Sequence, residues 1–357
     1  MERLNEVMKE ALEEGAFPGA SVLVSLKSEL VFKKAWGNKS IWPNKEELCV
    51  TDIFDVASLT KPIATTYCII DLILKGRLTL STTLRDLSLE GYTLLKYPES
   101  KAVITIKDLL LHSAGFASYY PFFNEYNVSV SKDAIYRKIL DMELAYEPGK
   151  RIVYSDLGFM LLEAIINYCS GMEMKDYFEG EILKDISVEY TFLADNTLRY
   201  NIEKFVPTEY CKWRKQLLRG IVHDENAFIM GGHSGHAGLF STAEDLYRII
   251  MAMQTKLRAS SLEGVFWNIY ETPDGSKRAL GWDVRSGEMP ASGRYFSDMT
   301  VGHLGFTGCS VWVDLNKELM VIVLTNRVHP SRKNQTIKIY RPKIHDAICE
   351  DLGLTGR

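Results

Sequence analysis

The chain has 357 residues, enough for one large domain or two intimately joined ones. Its formal net charge is -4 and its pI is about 6.0, with Lys and Arg scattered along the chain. Nothing in that balance points to nucleic acid or to an anionic membrane surface.

Residues 1–15 are rich in Glu and Lys and lack the apolar stretch of a secretory signal. The longest apolar run, residues 67–74, is interrupted by Asp71 and followed by Lys75, which predicts no membrane span. The expectation is a cytoplasmic chain. Cys49, Cys68, Cys169, Cys211, Cys309 and Cys349 are widely spaced with no C-x-x-C pair, so reduced and mostly buried thiols are expected.

Leu4, Val7, Met8, Ala11 and Leu12 recur at helical spacing and predict an amphipathic opening helix that stops near Gly15. After the turn Phe17-Pro18-Gly19, residues 20–26 and 30–36 read as two strands around Lys27-Ser28. Residues 63–74, 106–111, 133–140, 158–168 and 243–253 carry helical patterns, separated by loops rich in Gly, Pro, Tyr and Asn. Residues 310–314 and 319–325 are β-rich runs around Asn316-Lys317, and a closing helix presents Ile344, Ala347, Ile348 and Leu352 on one face. Both ends of the chain thus offer a helix plus a hairpin. The simplest packing is an α+β unit with both hairpins in one antiparallel sheet covered by the terminal helices. The sheet subdomain is drawn from residues 1–61 and 246–357, and a mostly helical subdomain, 62–245, is inserted between its halves.

Ser58-Leu59-Thr60-Lys61 places a hydroxyl and an ammonium three residues apart, on one face of a helix. The S-x-x-K spacing is a known way to build a serine nucleophile, which needs a neighbouring base. Pro62 is tolerated in a first helical turn, so Ser58 is expected at a helix N-terminus, where the dipole favours a developing alkoxide. The plainer reading is an N-cap serine followed by a solvated lysine. A partly buried Lys61 beside a tyrosine is expected to have a lowered pKa and to share protons.

Tyr154-Ser155-Asp156 follows the turn Glu147-Pro148-Gly149 and precedes a helix. A tyrosine placed so can project into a cleft and, as a phenolate held ionised by Lys61, take the serine proton. Alternatively it is half-buried structure. Gly302-His303-Leu304-Gly305-Phe306-Thr307-Gly308 sits just before the strand at residues 310–314. Its glycines, Gly305 among them, allow close approach of a substrate backbone. His303 offers a proton, an anion contact or support for the tyrosine; otherwise it is a surface histidine in a turn.

Together these segments resemble the class C β-lactamases and their relatives: low-molecular-weight penicillin-binding proteins, D-aminopeptidases and β-lactamase-like esterases. The family pattern is a serine, then Tyr-x-Asn, then Lys/His-x-Gly. Residues 54–62, 104–115 and 235–242 resemble further segments of that family, and the likeness runs over residues 18–326. It implies a β-lactamase-like fold and a serine hydrolase needing no cofactor or metal. It implies Ser58 as acylated nucleophile, Lys61 as its proton partner and Tyr154 as general base and acid. The oxyanion hole would be the backbone N–H groups of Ser58 and Phe306, with Asp156, His303 and Gly305 on the substrate side. The substrate would be a small-molecule or short-peptide ester or amide, with no nucleic-acid or membrane partner. Oligomeric state is left open.

Two positions depart from the family pattern. Asp156 stands where Asn is usual; an ionised Asp cannot donate to a substrate carbonyl but can pair with Lys61 and keep it charged. His303 replaces the Lys that binds a β-lactam carboxylate, and a histidine is mostly uncharged at neutral pH. Both suit an esterase, amidase or D-amino-acid peptidase better than an efficient β-lactamase. They also admit a penicillin-binding sensor that is acylated without turnover. His223, His233 and His236, with Asp224 and Glu225, could suggest a metal site; the resemblance and the glycines around them favour a loop flanking the cleft. Tyr119, Tyr120, Phe122, Phe123 and Tyr126 form an aromatic loop that either lines the acyl pocket or makes a subdomain contact.

Overall fold

The computed structural model describes residues 1–88, 99–128 and 130–356. The helices that frame the molecule are α1 (Glu2–Glu13), α2 (Thr66–Leu74), α3 (Ile106–Leu110), α4 (Lys132–Asp141), α5 (Asp156–Ser170), α6 (Ala243–Arg258) and α7 (Ile337–Asp351). The main sheet is built from β1 (Gly19–Leu26), β2 (Glu29–Ser40), β3 (Glu46–Glu47), β4 (Asp283–Val284), β5 (Thr300–Leu304), β6 (Ser310–Asp314) and β7 (Leu319–Thr325). Its order is β4-β5-β6-β7-β1-β2-β3, antiparallel throughout. The two hairpins predicted at opposite ends of the chain do share one sheet: β1 lies against β7 with Val22 opposite Val323.

Alternation along the strands sorts side chains to two cores. Val22, Val24, Val321 and Val323 face the terminal helices, packing with Leu4 and Met8 of α1 and Ile344 and Ile348 of α7. Leu23, Val311, Ile322 and Leu324 face the other way, into a larger core with Ile69 of α2 and Leu246, Ile250 and Met253 of α6. A strand slip of one residue would exchange these two sets, so the register is strongly specified. The α+β architecture expected from the sequence is the one observed.

The predicted helix at residues 63–74 is a composite. A 3-10 turn at Ala57–Leu59 leads into a π turn at Lys61–Thr65, and regular α-helix begins only at Thr66. Pro62 lacks the N–H that would continue the ladder, which places the irregular turn beside the motif. The whole run Ala57–Leu74 spans 18 residues with a mean hydropathy of 1.2, long and apolar enough to cross a membrane by length and composition. This corrects the expectation drawn from residues 67–74 alone. In the fold 83% of that run is buried inside the protein, as in a core helix. Cys68, Cys211, Cys309 and Cys349 are buried free thiols, and Cys49 is an exposed one.

Candidate active site

The segment before Ser58 is held by a buried carboxylate. Asp55 accepts the Ala57 N–H at 2.9 Å through Oδ1 and the His223 N–H at 2.6 Å through Oδ2. Ala57 adopts a positive φ of 49°, a conformation that non-glycine residues reach only at a cost of roughly 1–3 kcal/mol. The strained residue immediately precedes Ser58, which stays partly exposed while Leu59 and Thr60 are buried. Ser58 therefore sits in the 3-10 turn, not at the first turn of an α-helix as the motif suggested.

Lys61 is fully buried, with its ammonium among oxygen atoms. Its Nζ lies 3.2 Å from Ser58 Oγ, 3.0 Å from the His236 carbonyl oxygen and 2.7 Å from Asp156 Oδ1. Burial pushes the lysine down, but the charges of Asp156 and then Tyr154 outweigh it, and the net displacement is upward. The expected lowering is thus reversed, because Asp156 supplies a negative charge where the usual Asn would supply none.

Tyr154 precedes α5, whose N-cap Ser155 accepts the Gly158 N–H. The tyrosine is fixed from behind by His112, itself at φ 58°. The Ser155 N–H donates to His112 Nδ1 at 2.9 Å, and the Ser155 hydroxyl donates to the Ala117 carbonyl at 2.7 Å. The His112 and Tyr154 rings lie 4.8 Å apart, and Lys61 Nζ is 4.8 Å from the Tyr154 ring centroid. The phenol interacts with both Lys61 and Ser58. Its pKa is nonetheless raised: burial is the largest cause, Lys61 opposes it and Asp156 reinforces it. A standing phenolate, the state anticipated from the sequence, is disfavoured chiefly by burial, with the Asp156 charge adding to it.

His303 lies within strand β5 instead of the turn before β6. The turn begins after Leu304, and β5 and β6 pair with His303 opposite Val311. His303 is 2% exposed, and its Nδ1 lies 2.9 Å from the Leu304 carbonyl oxygen. A carbonyl only accepts, so Nδ1 carries the proton and Nε2 presents a lone pair. That Nε2 is buried without a hydrogen-bond partner among the described residues. Burial, then Arg278 and Lys61, hold the imidazole well below the usual histidine range, so it is neutral. Gly305 follows, and a Cβ there would sit 2.5 Å from the Val56 carbonyl oxygen. Only glycine lets this turn close on the Ser58 segment. The Thr307 hydroxyl donates to the Asp55 carbonyl at 2.8 Å and fastens the two together.

Ser58, Tyr154, His303, Gly305 and Phe306 line one cleft of about 400 Å³. Lys61 and Asp156 are not among its lining residues; Lys61 contacts Ser58, and Asp156 contacts Lys61. All the residues singled out by sequence for the site are therefore brought together from segments far apart in the chain. Sequence reasoning missed three contributors: the His236 carbonyl that holds Lys61, His112 behind Tyr154, and Arg278 on the cleft wall. His112 belongs to a segment noticed only for its likeness to the family, and His236 was weighed for its side chain as a metal ligand, not for its backbone carbonyl. Arg278 sits in a polar stretch with no local pattern to mark it.

The histidine-rich stretch does not converge. His223 Nε2 is 3.4 Å from Glu209, His236 Nε2 is 2.9 Å from Asp224, and His233 bridges the Ala194 carbonyl at 2.7 Å and Lys132 at 2.8 Å. Among the described residues no three His, Cys, Asp or Glu side chains are grouped to hold a metal ion. In the aromatic loop Phe122 is fully buried and Phe123 packs on Trp213 at 5.3 Å. None of its rings is among the residues that line the cleft.

Comparison with known proteins places this arrangement. The β-lactamase family model matches residues 4–343. The chain is 28% identical over 363 residues to an N-acetylmuramyl-L-alanine amidase of Bacillus subtilis (strain 168), covering 92% of this chain and 81% of that protein. It is 27% identical over 366 residues to a putative D-alanyl-D-alanine carboxypeptidase of Escherichia coli O157:H7, covering 92% and 83%. Among solved structures, EstCE1, a hydrolase with promiscuous acyltransferase activity, superposes with a TM-score of 0.77 at 18% identity over 97% of both chains. The chain belongs to the β-lactamase family and is an enzyme of its serine hydrolase class.

Proposed function

We propose that this protein cleaves an ester or amide bond through an acyl-enzyme on Ser58, and that it works as an esterase, amidase or peptidase more than as an efficient β-lactamase. The observation that carries the reading is the position of Lys61, 3.2 Å from Ser58 Oγ and 2.7 Å from Asp156. Ser58 attacks the carbonyl carbon, and its proton passes to Tyr154 in the phenolate form. The Lys61 ammonium stabilises both the alkoxide and the phenolate. The N–H groups of Ser58 and Phe306 receive the oxyanion, a type of contact that contributes roughly 3–4 kcal/mol per donor. Tyr154 then returns its proton to the leaving group, and water releases the acyl chain by the reverse sequence. Because Tyr154 resists ionisation, turnover should rise with pH. The relatives named as an amidase and a carboxypeptidase support a small-molecule or short-peptide substrate.

Ser58→Ala should abolish covalent labelling by a fluorophosphonate. Labelling that persists at another residue overturns the assignment. The Asp156 and His303 departures also support a second reading, a sensor that is acylated but not released. Mass spectrometry after mixing with a p-nitrophenyl ester separates the two: recovered free enzyme with released acid indicates the hydrolase, and a permanent adduct indicates the sensor.

A further inference from the structure

A second cavity, of about 300 Å³, lies apart from the reaction cleft, and among the described residues the two share no lining side chain. It opens at one end of the larger core, between β1, β6 and β7 of the sheet, the last turns of α6 and the short helix Glu263–Phe266. Two polar residues on its wall are deeply buried: Ser25 is 2% exposed and Gln254 is 8% exposed. Ser25 stands opposite Met320 in the β1–β7 pairing, and Met320 belongs to the larger core, so the hydroxyl lies on the face of the sheet that α6 covers. Neither the Ser25 hydroxyl nor the Gln254 amide has a hydrogen-bond partner among the described residues.

Buried polar groups are as a rule hydrogen-bonded, and leaving one unpaired is costly. Two such groups on one cavity wall are placed to bond an occupant. The rest of the wall is apolar, with Met251, Trp267 and Met320 among its residues. Trp267 is buried and stacked on Trp282 with ring centroids 5.6 Å apart, so this wall is already formed. The charges at the cavity are matched. Arg258 pairs with Glu263 at 3.0 Å where both are about half exposed. Asp314 accepts from the Ser297 N–H and hydroxyl and from the Asn316 and Lys317 N–H groups. Gly264 lines the cavity too; it has no left-handed φ, and a Cβ there would meet nothing within 4 Å. Neither backbone geometry nor packing requires that glycine, and its small size leaves the cavity open. The volume falls at the lower end of the range for small-molecule sites, roughly 300–1,000 Å³.

We propose that this cavity is a second ligand site, for an uncharged small molecule with an apolar body and one hydroxyl or amide head. The head bonds Gln254 and Ser25, and the body lies against Met251, Trp267 and Met320. An ionic head would be buried without a counter-charge, which excludes it.

The test is calorimetry on the full-length protein with two probes of the same shape, phenethyl alcohol and the phenethylammonium ion. The alcohol should bind saturably and at least about tenfold more tightly than the ion. Gln254→Leu keeps the bulk of the side chain and removes its hydrogen-bonding head, so affinity for the alcohol should fall by about five- to tenfold. Gly264→Trp fills the opening and should abolish binding, with a melting temperature no lower than that of the wild type. Absence of saturable binding of the alcohol, equal affinity for the ion, or binding of the alcohol that survives both substitutions unchanged overturns the proposal. No arm of the test depends on the reaction at Ser58.

Discussion

Replacing Asp156 by Asn removes a negative charge 2.7 Å from the Lys61 ammonium while leaving a side chain of nearly the same shape. At an effective dielectric of about 20, two unit charges at that distance interact by roughly 6 kcal/mol. Asp156 acts on both members of the proton-transfer pair in the same sense, favouring charged Lys61 and protonated Tyr154. Without it, each loses its proton at lower pH, and the reactive phenolate is more abundant near neutrality. If a quarter of that interaction reaches Tyr154, about 1.5 kcal/mol, the phenolate population grows by somewhat over about tenfold. The expected outcome for Asp156→Asn is therefore an approximately tenfold rise in kcat/KM for p-nitrophenyl acetate at pH 7, with the rising limb of the pH–rate profile displaced to lower pH. The cost falls on stability. A buried ammonium left unpaired costs roughly 3–5 kcal/mol, less where Lys61 sheds its proton instead. The assay is a pH–rate profile from pH 5 to 10 for both proteins, with thermal melts at each pH. A limb that stays in place in a variant that remains folded would refute the electrostatic reasoning.

Tyr154→Phe removes the proposed base while keeping the ring packed between His112 and Lys61. Acylation, followed by the burst of p-nitrophenol, should slow by about 100-fold or more with the melting temperature little changed. A burst at the wild-type rate would exclude the phenol from proton transfer. Glu209 gives a separate test on stability. Burial would raise its pKa, but hydrogen bonds from His223 and Arg332 bring it down to about 2, below the ordinary 4.5. A depressed carboxylate stabilises the fold above its unfolded pKa, and that contribution is lost as pH falls from 4.5 through about 2. Urea melts of wild type and Glu209→Gln should differ by on the order of 3 kcal/mol at pH 7 and converge towards pH 2. A difference that does not shrink with acid would mean that packing and not charge holds this site.

Local chemistry made much of the fold legible. Apolar spacing in α1 and alternation in β1, β6 and β7 are short-range patterns, and each element formed where its pattern lay. The helix beginning at Ile63 was harder to delimit, since Pro62 shifted the hydrogen-bond ladder into a π turn that periodicity does not register. His303 was placed in a turn because its glycine neighbours read as loop; pairing with β6, a contact made across the sheet, drew it into a strand.

Residue types and their order along the chain determined which hydroxyl, amine and phenol were available, because S-x-x-K and the segments after it are local arrangements. Only the tertiary structure decided their protonation. The charge state of Lys61 and Tyr154 depends on burial and on the distance to Asp156, a residue 95 positions away from Lys61 in sequence. Electrostatic energy depends on separation in space and on the loss of water, and neither quantity is written in a linear pattern of residues.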